Sequence, residues 1–149
     1  MFCQTLSLTV ALAFAMTVAS SALDRWAALS QIETGDKDTV VGAQGEISRY
    51  QLLPDVWHRY ASTNADWQKP EDALAVAQKV MGERISAFTN TYHRAPTDFE
   101  FYVLWNAPAQ IEHPSPAVQE RAERFCNLVT STGALTAGIE KPGTTTLGN

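Results

Sequence analysis

Glu33 stands in Ile32-Glu33-Thr34-Gly35, at the end of an apolar helical pattern and just ahead of a glycine. A carboxylate there faces the negative end of the helix dipole, which disfavours its charge by about 0.3–1 kcal/mol. The same field raises the carboxyl pKa, and partial burial raises it further. A glutamic acid still protonated near neutral pH can deliver its proton to a leaving oxygen, the opening step of glycosidic bond cleavage. The alternative is a surface glutamate at a helix end. The other chemistry-bearing residues are less suited. Cys126 lies beside Phe125 and Val129 in a helical stripe and reads as a small buried hydrophobe rather than a nucleophile. His58, His93 and His113 have no metal-ligand spacing, and no cysteine pair supports zinc, so no metal and no cofactor are expected.

The elements that must position Glu33 follow from periodicity and punctuation. Leu23, Trp26, Ala27, Leu29 and Ile32 have helical spacing, and Gly35 can take the left-handed conformation that ends a helix. Asp36, Lys37 and Asp38 make a polar turn. Residues 40–53 mix glycine, β-branched and aromatic residues and read as irregular chain with a short hairpin. Pro54 can open a second helix carrying Val56, Trp57 and Tyr60. Lys69-Pro70-Glu71-Asp72 starts a third, with acids where the dipole favours them, and Gly82 is a point at which it can break before Ile85 and Phe88. Thr97 with Glu100 forms a capping box ahead of a very apolar helix over 99–107. Pro116 starts the last helix, with Val118, Ala122, Phe125, Cys126 and Val129 along one stripe. The expectation is a mainly α domain over residues 23–130, about five helices around one core, with a small hairpin-like segment after the first helix.

The remainder of the 149-residue chain reads differently. Leu6 to Ala19 is an uncharged apolar run closed by Ser20-Ser21-Ala22, the pattern of a secretory signal over residues 1–22. An uncleaved anchor is the alternative, although the run is short for a membrane span. Residues 131–149 carry Thr, Gly and Ala with little to bury and read as a flexible tail. With the leader removed, Cys126 has no partner for an internal disulfide, so the fold must rely on its core. The net charge is −5, with pI near 5.1 and no run of like charges. That argues against nucleic acid and anionic membrane surfaces as partners. A monomer exported to the periplasm or cell envelope is expected.

Three blocks resemble a known family. Ile32-Glu33-Thr34-Gly35, then Gly45, then Gln51-Leu52-Leu53-Pro54 resemble the opening of the soluble lytic transglycosylase domain, of the lysozyme-like superfamily. That family writes Glu-Ser-Gly, a loop, and Gly-Ala-x-Gly-Leu-Met-Gln-Ile-Met-Pro. Leu104-Trp105-Asn106-Ala107-Pro108 is similar to its Ala-Tyr-Asn-Ala-Gly, and Pro70-Glu71-Asp72-Ala73 to its intervening helix. The resemblance implies an α+β lysozyme-like fold that cleaves peptidoglycan glycan strands between N-acetylmuramic acid and N-acetylglucosamine. It makes Glu33 the acid and then the base, with the sugar's own 6-hydroxyl closing an anhydro ring, so that no second carboxyl group is required.

The same resemblance puts Gln51 and Asn106 in the groove, where amides can match sugar hydroxyls because they donate and accept at once. Thr34, Ser48, Tyr50 and Trp105 are expected beside them on the substrate. For Gln51 the alternative is a structural amide pinning the hairpin to the first helix; for Asn106, one satisfying a helix end; for Trp105, a core residue. The departures are Glu46 for alanine, Ser48 for glycine, Arg49-Tyr50 for Leu-Met and Pro108 for glycine. Glu46 can be a second catalytic carboxyl group, which would make the protein a hydrolase, or it can pair with Arg49 on the surface. A glycan-binding envelope protein without turnover is the third possibility.

Overall fold

Asp24 starts the first helix. Its carboxylate accepts from the backbone N–H groups of Trp26 and Ala27 at 2.8 and 2.9 Å, satisfying donors that have no partner within the helix. The computed structural model describes residues 23–130; the expected leader over 1–22 and tail over 131–149 lie outside the described residues. Five α-helices carry the described chain: α1 (Arg25–Thr34), α2 (Pro54–Tyr60), α3 (Pro70–Tyr92), α4 (Asp98–Asn106) and α5 (Pro116–Thr130), with a 3-10 turn at Pro108–Gln110. The fold is mainly α, as its periodicity predicts. None of the described helices is long and apolar enough to cross a membrane.

α2, α3 and α5 start at the prolines that mark them, whereas α4 starts at Asp98, one residue ahead of the expected 99, and the Asp24 cap of α1 carries no expectation from the sequence. α2 and α3 begin at Pro54 and Pro70, whose missing N–H costs nothing in a first turn. The capping box of α4 forms: Thr97 Oγ1 accepts from Glu100 N at 3.2 Å, and Glu100 Oε2 accepts from Thr97 N at 2.9 Å. α1 ends at Gly35, which adopts φ 64°, and its N–H returns to Gln31 O. Gly82 does not break α3, which runs unbroken for 23 residues. A glycine costs a helix only about 1 kcal/mol, and the buried stripe of Val76, Ala77, Val80, Met81 and Phe88 holds both halves to the core.

α4 is the centre of the core. Phe101, Tyr102, Val103, Leu104 and Trp105 are all buried, and the helix packs against both α3 and α5. α1 packs against α5, and α2 against α3. Leu29, Met81, Tyr102, Val103 and Phe125 are the largest fully buried apolar side chains. Trp57 is buried, and Trp26 and Trp67 are partly buried against the core. Cys126 is half-buried rather than enclosed, and burial pushes its thiol pKa up, away from the thiolate.

The hairpin-like segment reduces to one antiparallel bridge. Ile47 and Leu52 exchange both backbone hydrogen bonds at 2.8 Å around a tight loop. The loop requires left-handed backbone at Ser48 (φ 67°) and Gln51 (φ 52°), which costs a non-glycine residue about 1–3 kcal/mol. Tyr50 anchors it. Its ring is buried, edge-on to Trp26 of α1 at 6.1 Å and to Trp105 of α4 at 6.3 Å. The segment is thereby fixed against the two helices whose ends carry Glu33 and Asn106.

Candidate active-site cleft

A cleft of about 480 Å³ opens between the end of α1, the bridged segment, the end of α4 and α5. Glu33 lies in its wall with Glu46, Gln51, Trp105 and Asn106, so five residues singled out in the sequence come together. Arg84 and Arg121 line it as well.

Glu33 is held at both oxygens. Tyr102 Oη donates to Oε1 at 3.0 Å, and Arg121 Nη2 donates to Oε2 at 3.2 Å. Only 7% of its side chain is exposed, against 41% for Arg121. Opposing forces set its proton affinity. Burial raises the carboxyl pKa, as does the nearby negative charge of Glu46; Arg121 and the Tyr102 hydroxyl lower it. Burial prevails, and the pKa stands above the ordinary value. Tyr102 in turn is a weaker acid than a free phenol, because it is buried and faces the Glu33 charge.

Glu46 reaches the same cleft from the bridged segment. Its Oε2 accepts from Gln44 N at 2.9 Å. The expected pair with Arg49 does not form; Arg49 Nε instead binds Asp38 Oδ1 at 2.6 Å. Asp36 accepts from Ser30 Oγ at 2.6 Å. Both aspartates therefore brace the turn after α1. Gly42 matters here: a side chain on it would collide with Glu46 Oε2 and Gln51 Oε1, so glycine lets both groups lie against the backbone. Gln51 Nε2 makes long hydrogen bonds to Ser48 O (3.3 Å) and Val40 O (3.5 Å). It is tied within its own loop rather than to α1.

Asn106, the last residue of α4, is exposed on the cleft wall. Trp105 is nearly enclosed, with the Arg84 guanidinium 5.6 Å from its ring centre. Thr34, Ser48 and Tyr50 are not among the cleft-lining residues. Thr34 Oγ1 donates to Arg49 O and Ser30 O and accepts from Lys37 N, tying the end of α1 to the bridged loop. Ser48 is fully buried and its Oγ accepts from Tyr50 N. Among the described residues, no group of three His, Cys, Asp or Glu side chains could hold a metal.

Tyr102, Arg121 and Arg84 join the cleft or its margin without any expectation from sequence spacing. A signal existed for two of them. Arg121 falls on the apolar stripe of Val118, Ala122 and Phe125, where a charge needs a partner. Tyr102 puts a hydroxyl in the most apolar helix, and buried phenols seek an acceptor. No family model, curated protein or solved structure matches the chain.

Proposed function

We propose that the protein cleaves peptidoglycan glycan strands as a lytic transglycosylase, with Glu33 as its single acid and base. One observation carries this reading: a nearly enclosed glutamic acid with a raised pKa, in the wall of a cleft that also presents amides, an aromatic residue, charged groups and the aliphatic side chains of Leu52, Leu53 and Val56. Further support comes from the bridged segment. Ser48 adopts φ 67°, a backbone that a glycine takes freely, so serine in place of the family's glycine is compatible with the same loop path. The reading implies a lysozyme-like arrangement and export to the cell envelope.

The chemistry uses Glu33 twice. The protonated carboxyl group gives its proton to the oxygen bridging C1 of N-acetylmuramic acid and C4 of N-acetylglucosamine. The C1–O bond breaks and the N-acetylglucosamine side leaves as an alcohol. Tyr102 and Arg121 stabilise the carboxylate left behind. That carboxylate takes the proton of the muramic 6-hydroxyl as its oxygen bonds to C1, closing an anhydro ring and restoring the acid. Asn106 and Gln51 supply amides that suit N-acetyl and hydroxyl groups along the cleft.

A second reading rests on Glu46. It lines the same cleft, and its charge acts on Glu33. A carboxylate so placed can activate water and make the reaction a hydrolysis. Incubating the protein with purified sacculi and weighing the soluble fragments decides. Anhydro-muramic ends, lighter by one water, are the expected product. Reducing ends would move the assignment to the hydrolase, and an absence of soluble fragments would overturn cleavage altogether.

A further inference from the structure

Arg84 is a cation at the cleft without an anion. It projects from α3, and its Nη1 donates to Leu104 O at 2.8 Å and Trp105 O at 2.6 Å, at the end of α4. Among the described residues no carboxylate pairs with it, nor with the exposed Arg59 and Arg124, whereas Arg25, Arg49, Arg94 and Arg121 each hold one. The two carbonyls engage both protons of a single nitrogen. Nε and Nη2, the edge that binds a carboxylate through two parallel hydrogen bonds, make no hydrogen bond to the described residues. The two carbonyls and the Trp105 ring, 5.6 Å from the guanidinium, hold it at the end of α4.

Capping α4 accounts for the contacts at Nη1. It also gives the cation the partial negative charge at that helix end, but it does not account for the Nε–Nη2 edge left without a hydrogen bond beside Trp105 and Asn106. We infer that Arg84 is a specificity residue that binds a carboxylate carried by the glycan, and that this carboxylate is the free 3-O-lactyl group of an N-acetylmuramic unit. The inference rests on the glycan-cleaving reading above and names the form of the strand it takes. When the lactyl group is joined to a stem peptide its carboxylate becomes an amide, and the charge that Arg84 reads is gone. The preferred strand is therefore peptide-free. The stem peptide is the other source of carboxylates on such a strand, and it reaches further from the sugar ring.

The test measures binding to the full chain in a Glu33→Gln background, which does not turn over. The probes are a peptide-free N-acetylglucosamine–N-acetylmuramic acid tetrasaccharide, the same tetrasaccharide with its lactyl groups converted to methylamides, and a peptide-bearing counterpart. The free acid is expected to bind about tenfold more tightly than the methylamide, with that advantage shrinking as salt rises. The peptide-bearing strand is expected to behave like the methylamide. Adding Arg84→Gln should erase the preference while leaving methylamide affinity in place. Arg84→Lys keeps the charge at the end of α4 but lacks the fork, and should retain only part of the preference, which covers the case in which the glutamine variant does not fold. Equal affinity for acid and methylamide would overturn the inference and leave the glycan reading standing. So would an equal loss for both probes in Arg84→Gln, the signature of a purely structural cap. Tighter binding of the peptide-bearing strand would overturn the lactyl assignment, and failure to bind all three probes would remove both readings.

Discussion

Arg121 Nη2 meets Glu33 Oε2 at 3.2 Å across 88 positions of sequence. The contact exists because α1 and α5 pack together and present their inner faces to α4. Tyr102 of α4 completes a triangle: its hydroxyl is 3.0 Å from Glu33 Oε1, and the Arg121 guanidinium lies 6.0 Å from its ring centre. A carboxyl group enclosed by protein would otherwise cling to its proton, and one facing a free arginine would lose it. Placing both influences on Glu33 leaves a group able to give a proton and take one back.

Arg121→Gln therefore has a signed consequence. Arg121 is the larger of the influences that lower the Glu33 pKa, so its removal raises that pKa further. With Glu33 as the acid of the proposed reaction, the rate should fall on the alkaline side where Glu33 ionises, and in the variant that limb should move to higher pH. Tyr102→Phe moves it in the same direction. The measurement is fragment release from sacculi across a pH series. A limb that stays in place, or moves down, removes Arg121 from the tuning of the acid.

Glu33→Gln is expected to lower the cleavage rate by about 10²–10⁴-fold. Its effect on stability is small, within about 1 kcal/mol near neutral pH. The amide still accepts from Tyr102, and Arg121 is exposed enough to be hydrated. The pH dependence distinguishes the two proteins. Because the folded pKa of Glu33 is raised, the native state holds this proton more tightly than the unfolded chain. Its contribution disfavours folding progressively as pH rises from the ordinary carboxyl value through the raised one. Denaturant titrations over that window should show a slope in the wild type that the glutamine variant lacks; parallel curves would mean that Glu33 is not desolvated as described.

Glu46→Gln separates the single-acid scheme from the two-carboxylate scheme. Under the first, the rate stays within a few-fold of normal, with a slight downward shift of the alkaline limb, since the Glu46 charge raises the Glu33 pKa. Under the second, turnover falls by about 10²-fold or more. Fragment release by the variant at saturating substrate reads the difference directly.

Local signals were legible because they are written in adjacent residues. Thr97 and Glu100 announce the start of α4, Pro54 and Pro70 those of α2 and α3, and Gly35 the end of α1. Glu33 stood out for the same reason: an acid two residues before a helix-ending glycine faces the negative end of the helix dipole. What sequence spacing could not supply is pairing at a distance. Glu46 and Arg49 are close in the chain, yet the left-handed turn at Ser48 accompanies a different pairing, in which Arg49 binds Asp38. Tyr50 reads as a groove residue by alignment, but the enclosed space between Trp26 and Trp105 takes its ring. Tyr102, Arg84 and Arg121 find their partners 69, 20 and 88 positions away, or farther, beyond any periodicity argument.

Two glycine substitutions should have opposite profiles. Gly35→Ala puts a side chain into open space at φ 64°, so its cost is backbone strain, about 1 kcal/mol of stability, with the cleft left as it was. Gly42→Ala carries no such backbone demand but drives its methyl into Glu46 Oε2 and Gln51 Oε1. The Glu46 side chain can swing aside at little cost in stability, and the cleft wall changes shape. Thermal unfolding should rank Gly35→Ala as the less stable, and sacculus digestion should rank Gly42→Ala as the slower. The reverse order in the digestion would show that the wall at Gly42 has no part in the reaction.

Acid sensitivity should be concentrated in a residue remote from the cleft. Glu100 carries a pKa lowered to about 2, first by its hydrogen bonds with Arg94 (2.7 Å to Nη1) and then by the Thr97 backbone and hydroxyl. A depressed carboxyl pKa means that the unfolded chain takes up the proton first. The stabilisation from Glu100 is complete above the ordinary carboxyl value and drains away as pH falls towards about 2, the opposite sign to Glu33. The Arg94 side chain is half exposed, so solvent trims the ion pair and the capping box keeps its share. Glu100→Gln should flatten the loss of urea resistance over that acidic window while leaving the cleavage rate unchanged. An equally steep acid decline in the variant would assign acid unfolding to other carboxylates.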